Sequence, residues 1–189
     1  MRPDGFPSGS SSEHGARLFF ALWPPPGIAS VLHAQAERIA EQHGGRVMRV
    51  DTLHLTLAFL GEVADHQLPR LHAAAATVAG ESFVLAIDHL AYWPQKRIFW
   101  AGSATIPRQA TELAGQLNST LKNIEFRPIT NPSHAFVPHL TLLRNVRDPI
   151  GAPPPLPALR WHCERFVLVR SHRSARGADY KHIGEWRLR

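Results

Sequence analysis

The chain has 189 residues, with 21 Lys+Arg against 15 Asp+Glu and a formal net charge of +6. That length can bury a core without metal or disulfide staples, and the single cysteine, Cys163, excludes an internal disulfide framework and a cysteine-rich metal site. No apolar run approaches the length of a membrane-spanning helix, the first residues lack the apolar core of a signal peptide, and the basic balance points to an anionic partner without naming it.

Residues 1–16, rich in Gly, Ser and Pro, are predicted to be disordered, and one ordered unit to fill 17–189. "RLFFALW" from Arg17 reads as a strand buried on both faces. Pro24-Pro25-Pro26 ends it and opens a helix whose inward positions are Ile28, Val31, Leu32, Ile39 and Ala40, stopped by Gly44-Gly45. "RVMRV" is a short strand, Asp51-Thr52 a turn, and "LHLTLAFL" a longer strand, after which Gly61 serves a turn. A second helix is predicted over Asp65–Ala79, with Leu68, Leu71, Ala75 and Val78 inward. "SFVLAIDHLAYW" gives a strand or two and "KRIFWAG" another. A third helix spans Pro107–Lys122 with Ala110, Leu113, Leu117 and Leu121 on one stripe. A proline-bearing loop leads to "HLTLL", and "GAPPPLP" is a surface loop. "CERFVLVRS", whose first residue Cys163 is read as a small core residue, and "YKHIGEWRL" close the chain as two strands across "HRSARGAD". Helices and strands mix in both halves with no Gly-rich phosphate loop, which predicts an α+β fold with two related sheets.

Each half carries the same four letters: His54-Leu-Thr56-Leu and, 85 positions on, His139-Leu-Thr141-Leu. In a strand, side chains alternate faces. His54 and Thr56 therefore share one face, while Leu53, Leu55, Leu57 and Phe59 point into a core, and His139 and Thr141 repeat the pattern against Leu140 and Leu142. Two such strands facing each other across a groove would surround a small anion with two imidazoles and two hydroxyls. One imidazole can activate water while the other protonates a leaving oxygen, and threonine hydroxyls can donate to phosphoryl oxygens. The alternative, half-exposed strand residues without chemistry, stays open at this point. No metal is predicted, because two histidines are too few ligands and no Cys or H-E-x-x-H completes them.

The twin motifs with their flanks, "LHLTLAFLG" and "PHLTLLR", together with "RLFFAL" and "YKHIGEWRL", resemble the 2H phosphoesterase superfamily, in particular its bacterial and archaeal RNA 2',3'-cyclic phosphodiesterase (2'-5' RNA ligase) branch. The resemblance covers Arg17–Leu188. It implies a bilobal α+β fold in which two mostly antiparallel sheets, one motif in each lobe, flank a central cleft with helices outside. It further implies that RNA 2',3'-cyclic phosphate ends are opened to 2'-phosphomonoesters, and that RNA halves can also be joined through a 2'-5' bond. His54 would be the general acid, His139 the general base, and Thr56, Thr141 and Arg144 the phosphate ligands. The chain departs from many relatives in carrying Met48 where they have tryptophan, and in a long approach to the second motif. RNA contact is expected from Phe20, Tyr92 and Trp93 by stacking and from Lys96, Arg97 and Arg173 by charge; Arg170, His172, Arg173 and Arg176 are read as one basic loop. No cofactor, membrane or obligate protein partner is implied, and the setting is cytoplasmic. Alternatives are another activity of the superfamily, such as opening ADP-ribose cyclic phosphate or hydrolysing 2'-5' oligonucleotides, or a non-catalytic RNA-binding protein.

Overall fold

The computed structural model describes residues 15–128, 136–148, 150–174 and 177–189. The expectation of disorder over 1–16 falls largely outside them, and the first strand already begins at Gly15. Ten strands and three α-helices are found among the described residues. In chain order they are β1 (Gly15–Leu22), α1 (Pro26–His43), β2 (Arg46–Val47), β3 (Leu55–Ala64), α2 (Leu68–Ala76), β4 (Phe83–Ile87) and β5 (His89–Trp93). They continue with β6 (Ile98–Gly102), α3 (Arg108–Asn123), β7 (His139–Arg144), β8 (Leu159–Cys163), β9 (Arg165–Ser174) and β10 (Gly177–Arg187).

Eight strands form one sheet in the order β10-β9-β1-β3-β7-β6-β5, with β2 on the edge of β7, and every pairing is antiparallel. The sheet has a seam. Strands β3 and β7 share one residue pair, Leu55 with Leu140. Beyond it β2 takes over the edge of β7, pairing Arg46 with Arg144 and Val47 with Leu143. The seam divides the sheet into a wing of β10, β9, β1 and β3 and a wing of β7, β6, β5 and β2. A separate ribbon of β4 and β8 packs beside them; the sequence pattern gives no strand at β8, and Cys163 ends that strand rather than starting β9.

The helices cross between wings. α1 follows β1 yet packs on β2 and β7, while α3 follows β6 yet packs on β3 and α2. The buried stripe of α3 is Ala110, Leu113, Ala114, Leu117 and Leu121, as its spacing predicts. That of α1 is Ala29, Leu32, Ala36 and Ile39, and Val31, expected inward, is 41% exposed. Helix α2 is shorter than predicted, a 3-10 turn at Asp65–Gln67 taking its first residues.

β1 is covered on both sides, as its unbroken apolar run implies, but by two different clusters. Leu18, Phe20 and Leu22 join the main core under the helices. Phe19 and Ala21 join Val167 and Val169 in a small cluster on the opposite face, against which Trp23, Phe59 and Tyr180 pack. This second face carries the site. The stretch read as a basic loop is mostly strand: Arg170 and His172 lie within β9 and pair with β10, and Arg170 is held by Asp65 at 2.7 Å. Arg176 and the side chain of Arg173 lie outside the described residues.

Candidate active site

The single pair at the seam arranges the two motifs. Leu55 and Leu140 are 1% and 0% exposed in the main core, so their neighbours in sequence turn to the other face. In the antiparallel register that this pair fixes, His54 falls opposite Thr141 and Thr56 opposite His139. All four side chains are half-buried.

The two histidines are held in the same way. Nδ1 of His54 bonds the carbonyl of Thr52 at 2.7 Å, and Nδ1 of His139 bonds the carbonyl of Val137 at 2.9 Å. A carbonyl only accepts, so each Nδ1 carries the proton and each Nε2 is left for a ligand. Thr52 is itself fixed, its hydroxyl donating to the carbonyl of Arg49 at 2.8 Å. Aromatic rings close in around both imidazoles. His54 stacks on Trp23 (5.4 Å between centroids, 10° between planes), with Phe19 at 4.7 Å and Tyr180 edge-on at 5.3 Å. His139 meets Trp93 edge-on at 4.7 Å and Trp100 at 6.0 Å.

These surroundings set the charge. Burial, helped by the positive charge of Arg144 and by His139 and His182, pushes the His54 pKa down to about 4 against the Thr52 bond, which favours the proton. Burial also lowers His139, with Lys96 and Arg144 adding to it. At neutral pH and without an anion both imidazoles are therefore neutral.

Bulges decide what else faces the ligand. Between β6 and β7 the register runs Phe99 with Leu143 and then Trp100 with Thr141, leaving Leu142 unpaired. Leu142 and Leu143 are consequently both 0% exposed, and the following residue, Arg144, turns to the side of Thr141. Simple alternation would have sent Arg144 to the core side. β3 repeats the device: Phe20 pairs with Ala58 and Ala21 with Thr56, so Leu57 and Ala58 are both buried and Phe59 emerges on the face of Thr56. Phe59, which alternation assigns to the core, instead lines the cleft under the guanidinium of Arg17, 5.1 Å above its ring. Phe59 and Arg144 occupy the same place, five residues after each motif histidine. A further bulge places Gly61 inside β3 at φ 73°, a conformation that favours glycine, rather than in a turn after the strand.

Together these side chains wall a cavity of about 540 Å³ that includes His54, Thr56, Tyr180 and four arginines, Arg17, Arg46, Arg49 and Arg144. His139 and Thr141 stand outside its wall, across the seam. Met48, in the position noted above, is 8% exposed, donates its backbone N–H to Leu142 and accepts from His33 Nδ1 with its carbonyl; it lines the cavity but presents no ring. The approach to His139 falls mostly on residues 129–135, outside the described residues.

The expected RNA contacts divide. Trp93 stands beside His139, and the Lys96 ammonium sits 4.8 Å over the Trp93 ring. Phe20 is 0% exposed between Phe166 and Trp186 in the main core, so no base reaches it; its neighbour Phe19 has the cleft-facing place. Tyr92 likewise packs toward the core, because adjacent strand residues oppose each other. Arg97 is a fastener, its Nε donating to the carbonyl of Val146 at 2.6 Å from a left-handed backbone. Trp23, Tyr180, Arg17 and Arg46 were missed by sequence reasoning. Period two links Trp23 to Phe19 and Ala21 and could have found it; Tyr180, Arg17 and Arg46 come in through strand pairing alone. Cys163 is 2% exposed and its thiol is pushed up to about 12 by burial, so it is no nucleophile at neutral pH.

Known proteins share the sequence pattern and the fold of this chain. Residues 22–100 fit the model of the family described as LigT like Phosphoesterase. The RNA 2',3'-cyclic phosphodiesterase of Escherichia coli K12 is 32% identical over 173 residues, covering 91% of this chain and 96% of that protein. The chain belongs to the LigT-like phosphoesterases. The Thermus thermophilus protein of the same name is 29% identical over 92% of this LigT-like chain and 90% of its own. The crystal structure of E. coli LigT complexed with 3'-AMP superposes with a TM-score of 0.79 at 31% identity, over 93% of this chain and 99% of that one. The fold is therefore that of a LigT-like phosphoesterase, an α+β enzyme of the 2H type.

Proposed function

We propose that the protein hydrolyses RNA 2',3'-cyclic phosphate ends to 2'-phosphomonoesters, using His139 as general base and His54 as general acid within a single domain that takes one motif from each lobe. The observation that carries the reading is the matched anchoring of the two imidazoles through Nδ1, one on each side of the Leu55–Leu140 pair. It leaves two Nε2 atoms free to move protons at one phosphorus. Water attacks the phosphorus and gives a proton to Nε2 of His139; the bond from phosphorus to the 3' oxygen breaks, and Nε2–H of His54 protonates that oxygen. Thr56, Thr141 and Arg144 hold the non-bridging oxygens. An anionic phosphate at Arg144 cancels one of the charges that hold His54 neutral, so the substrate itself helps load the acid with its proton. With an RNA 5'-hydroxyl in place of water the two groups keep their roles: the hydroxyl attacks the phosphorus and gives its proton to His139, the 3' oxygen leaves with the proton of His54, and a 2'-5' bond forms. The lone cysteine fits a reducing compartment, and the cytoplasm is where we place the encounter with RNA.

The test is product analysis of a short RNA with a 2',3'-cyclic phosphate, incubated with the protein in EDTA and read by phosphorus NMR. The expected product is the 2'-monoester. Each proton transfer is worth about 10²–10⁴-fold, so His54→Ala and His139→Ala should each lose at least that much turnover while 3'-AMP affinity stays within severalfold. A 3'-monoester refutes the assignment of His54 to the 3' oxygen. Unchanged turnover in either variant refutes the two-histidine mechanism.

A further inference from the structure

The cleft holds more positive charge than one phosphodiester needs. A cyclic phosphate carries a single negative charge, and Arg144 with the two threonines already meets it. Yet Arg17 and Arg46 line the same cavity. Tyr180 lines it too, and the charge of all three guanidiniums opposes the effect of burial on its phenol. Their acidic partners are few. Arg49, the fourth arginine, is consumed by Asp51 at 2.6 Å and Asp179 at 2.7 Å. Arg17 has only a loose contact with Glu62 at 3.9 Å. Arg46 and Arg144 pair across β2 and β7 and have no acidic partner within 4.0 Å among the described residues. Like charges are kept together here without neutralisation, a repulsive arrangement that an anion relieves.

We propose that Arg17, Arg46 and Arg144, which line one cavity with Tyr180, form a second anion subsite, which takes the phosphate on the 5' side of the nucleotide whose cyclic phosphate meets the histidines. This rests on the RNA reading above. A ribonucleotide at a 3' end has one other phosphate, on its 5' oxygen, because the strand continues that way. The cavity of about 540 Å³ is of nucleotide size. Arg144 stands between the two anions, at the end of the motif strand and opposite Arg46. The Arg17 guanidinium sits 5.1 Å over the Phe59 ring, a contact that holds it without consuming its N–H donors. The subsite makes the protein a reader of strand ends and of 5'-phosphorylated nucleotides, and a poor host for nucleosides bearing a cyclic phosphate alone.

Calorimetry with adenosine 3',5'-bisphosphate and 3'-AMP tests this without relying on turnover. The parent should bind the bisphosphate at least about tenfold more tightly. Arg46→Gln and, separately, Arg17→Gln should each cut that ratio to about twofold. Equal affinities in the parent overturn the subsite, as does a ratio that survives both substitutions. Failure to open cyclic RNA while the bisphosphate preference holds would instead overturn the proposed reaction and leave the subsite standing.

Discussion

His54 gives the most quantitative handle on the site. Its pKa is 6.5 in the unfolded chain and about 4 in the folded one, so folding favours the neutral ring. The stability this contributes is fully present above pH 6.5 and is lost as pH falls from about 6.5 to about 4. The gap corresponds to about 3 kcal/mol. With a urea slope of about 2 kcal/mol per molar, that moves the unfolding midpoint by more than about 1 M. Replacing His54 by Asn removes the ionisation while keeping a polar side chain of similar reach. Urea titrations of parent and variant at pH 7 and pH 4 should therefore show the variant losing about 3 kcal/mol less than the parent over that interval. Ring-proton NMR of the parent supplies the direct reading: a His54 midpoint near 4 in the protein alone, rising when inorganic phosphate is added. A midpoint at or above 6.5 without phosphate, or parallel pH dependence in parent and variant, would refute the account of burial and charge around this imidazole.

Two further outcomes follow from packing. Phe20→Ala should cost about 3–5 kcal/mol of stability, read by urea unfolding, because Phe20 fills the core between Phe166 and Trp186; a base-stacking role would instead lower RNA affinity with the fold intact. Gly61→Ala forces a side chain onto a φ of 73° and should cost more than about 1 kcal/mol by the same measurement, whereas a glycine serving only an open turn would tolerate it.

The chemistry of the site was more legible than its walls. A histidine and a threonine two apart among leucines declare a shared face, and the repeat declares that there are two of them. Helix stripes such as that of α3 were legible for the same reason: the period is local. What alternation could not supply was where it breaks. Leu57 and Leu142, skipped in the registers of β1 with β3 and of β6 with β7, reverse the sense of the residues directly after them, which is why alternation puts Phe59 in the core and gives no reason for Arg144 to face the ligand. Nothing in "HLTLAF" or "HLTLLR" marks the extra residue, since the bulge is a relation with a neighbouring strand. The choice between Phe19 and Phe20, or Tyr92 and Trp93, was of the same kind. Period two says that one of each pair faces the cleft, and the partners of the strand say which. Tyr180 and Arg46 are more than 120 residues apart in sequence and meet only because β10 and β2 flank the same cavity.

The order of strands also bears on how the chain reaches this state. β1 lies between β3 and β9, and β9 is made after every other described strand but β10. Until Arg165–Arg187 has left the ribosome, one edge of β1 has no partner and Phe20 lacks both Phe166 and Trp186. An open, apolar strand edge is a template for wrong pairing, and sheets built from contacts so distant in sequence form slowly. Growth of the chain thus leaves one edge of β1 exposed through the making of β3 to β8, and the hairpin of β9 and β10 is the step that closes it.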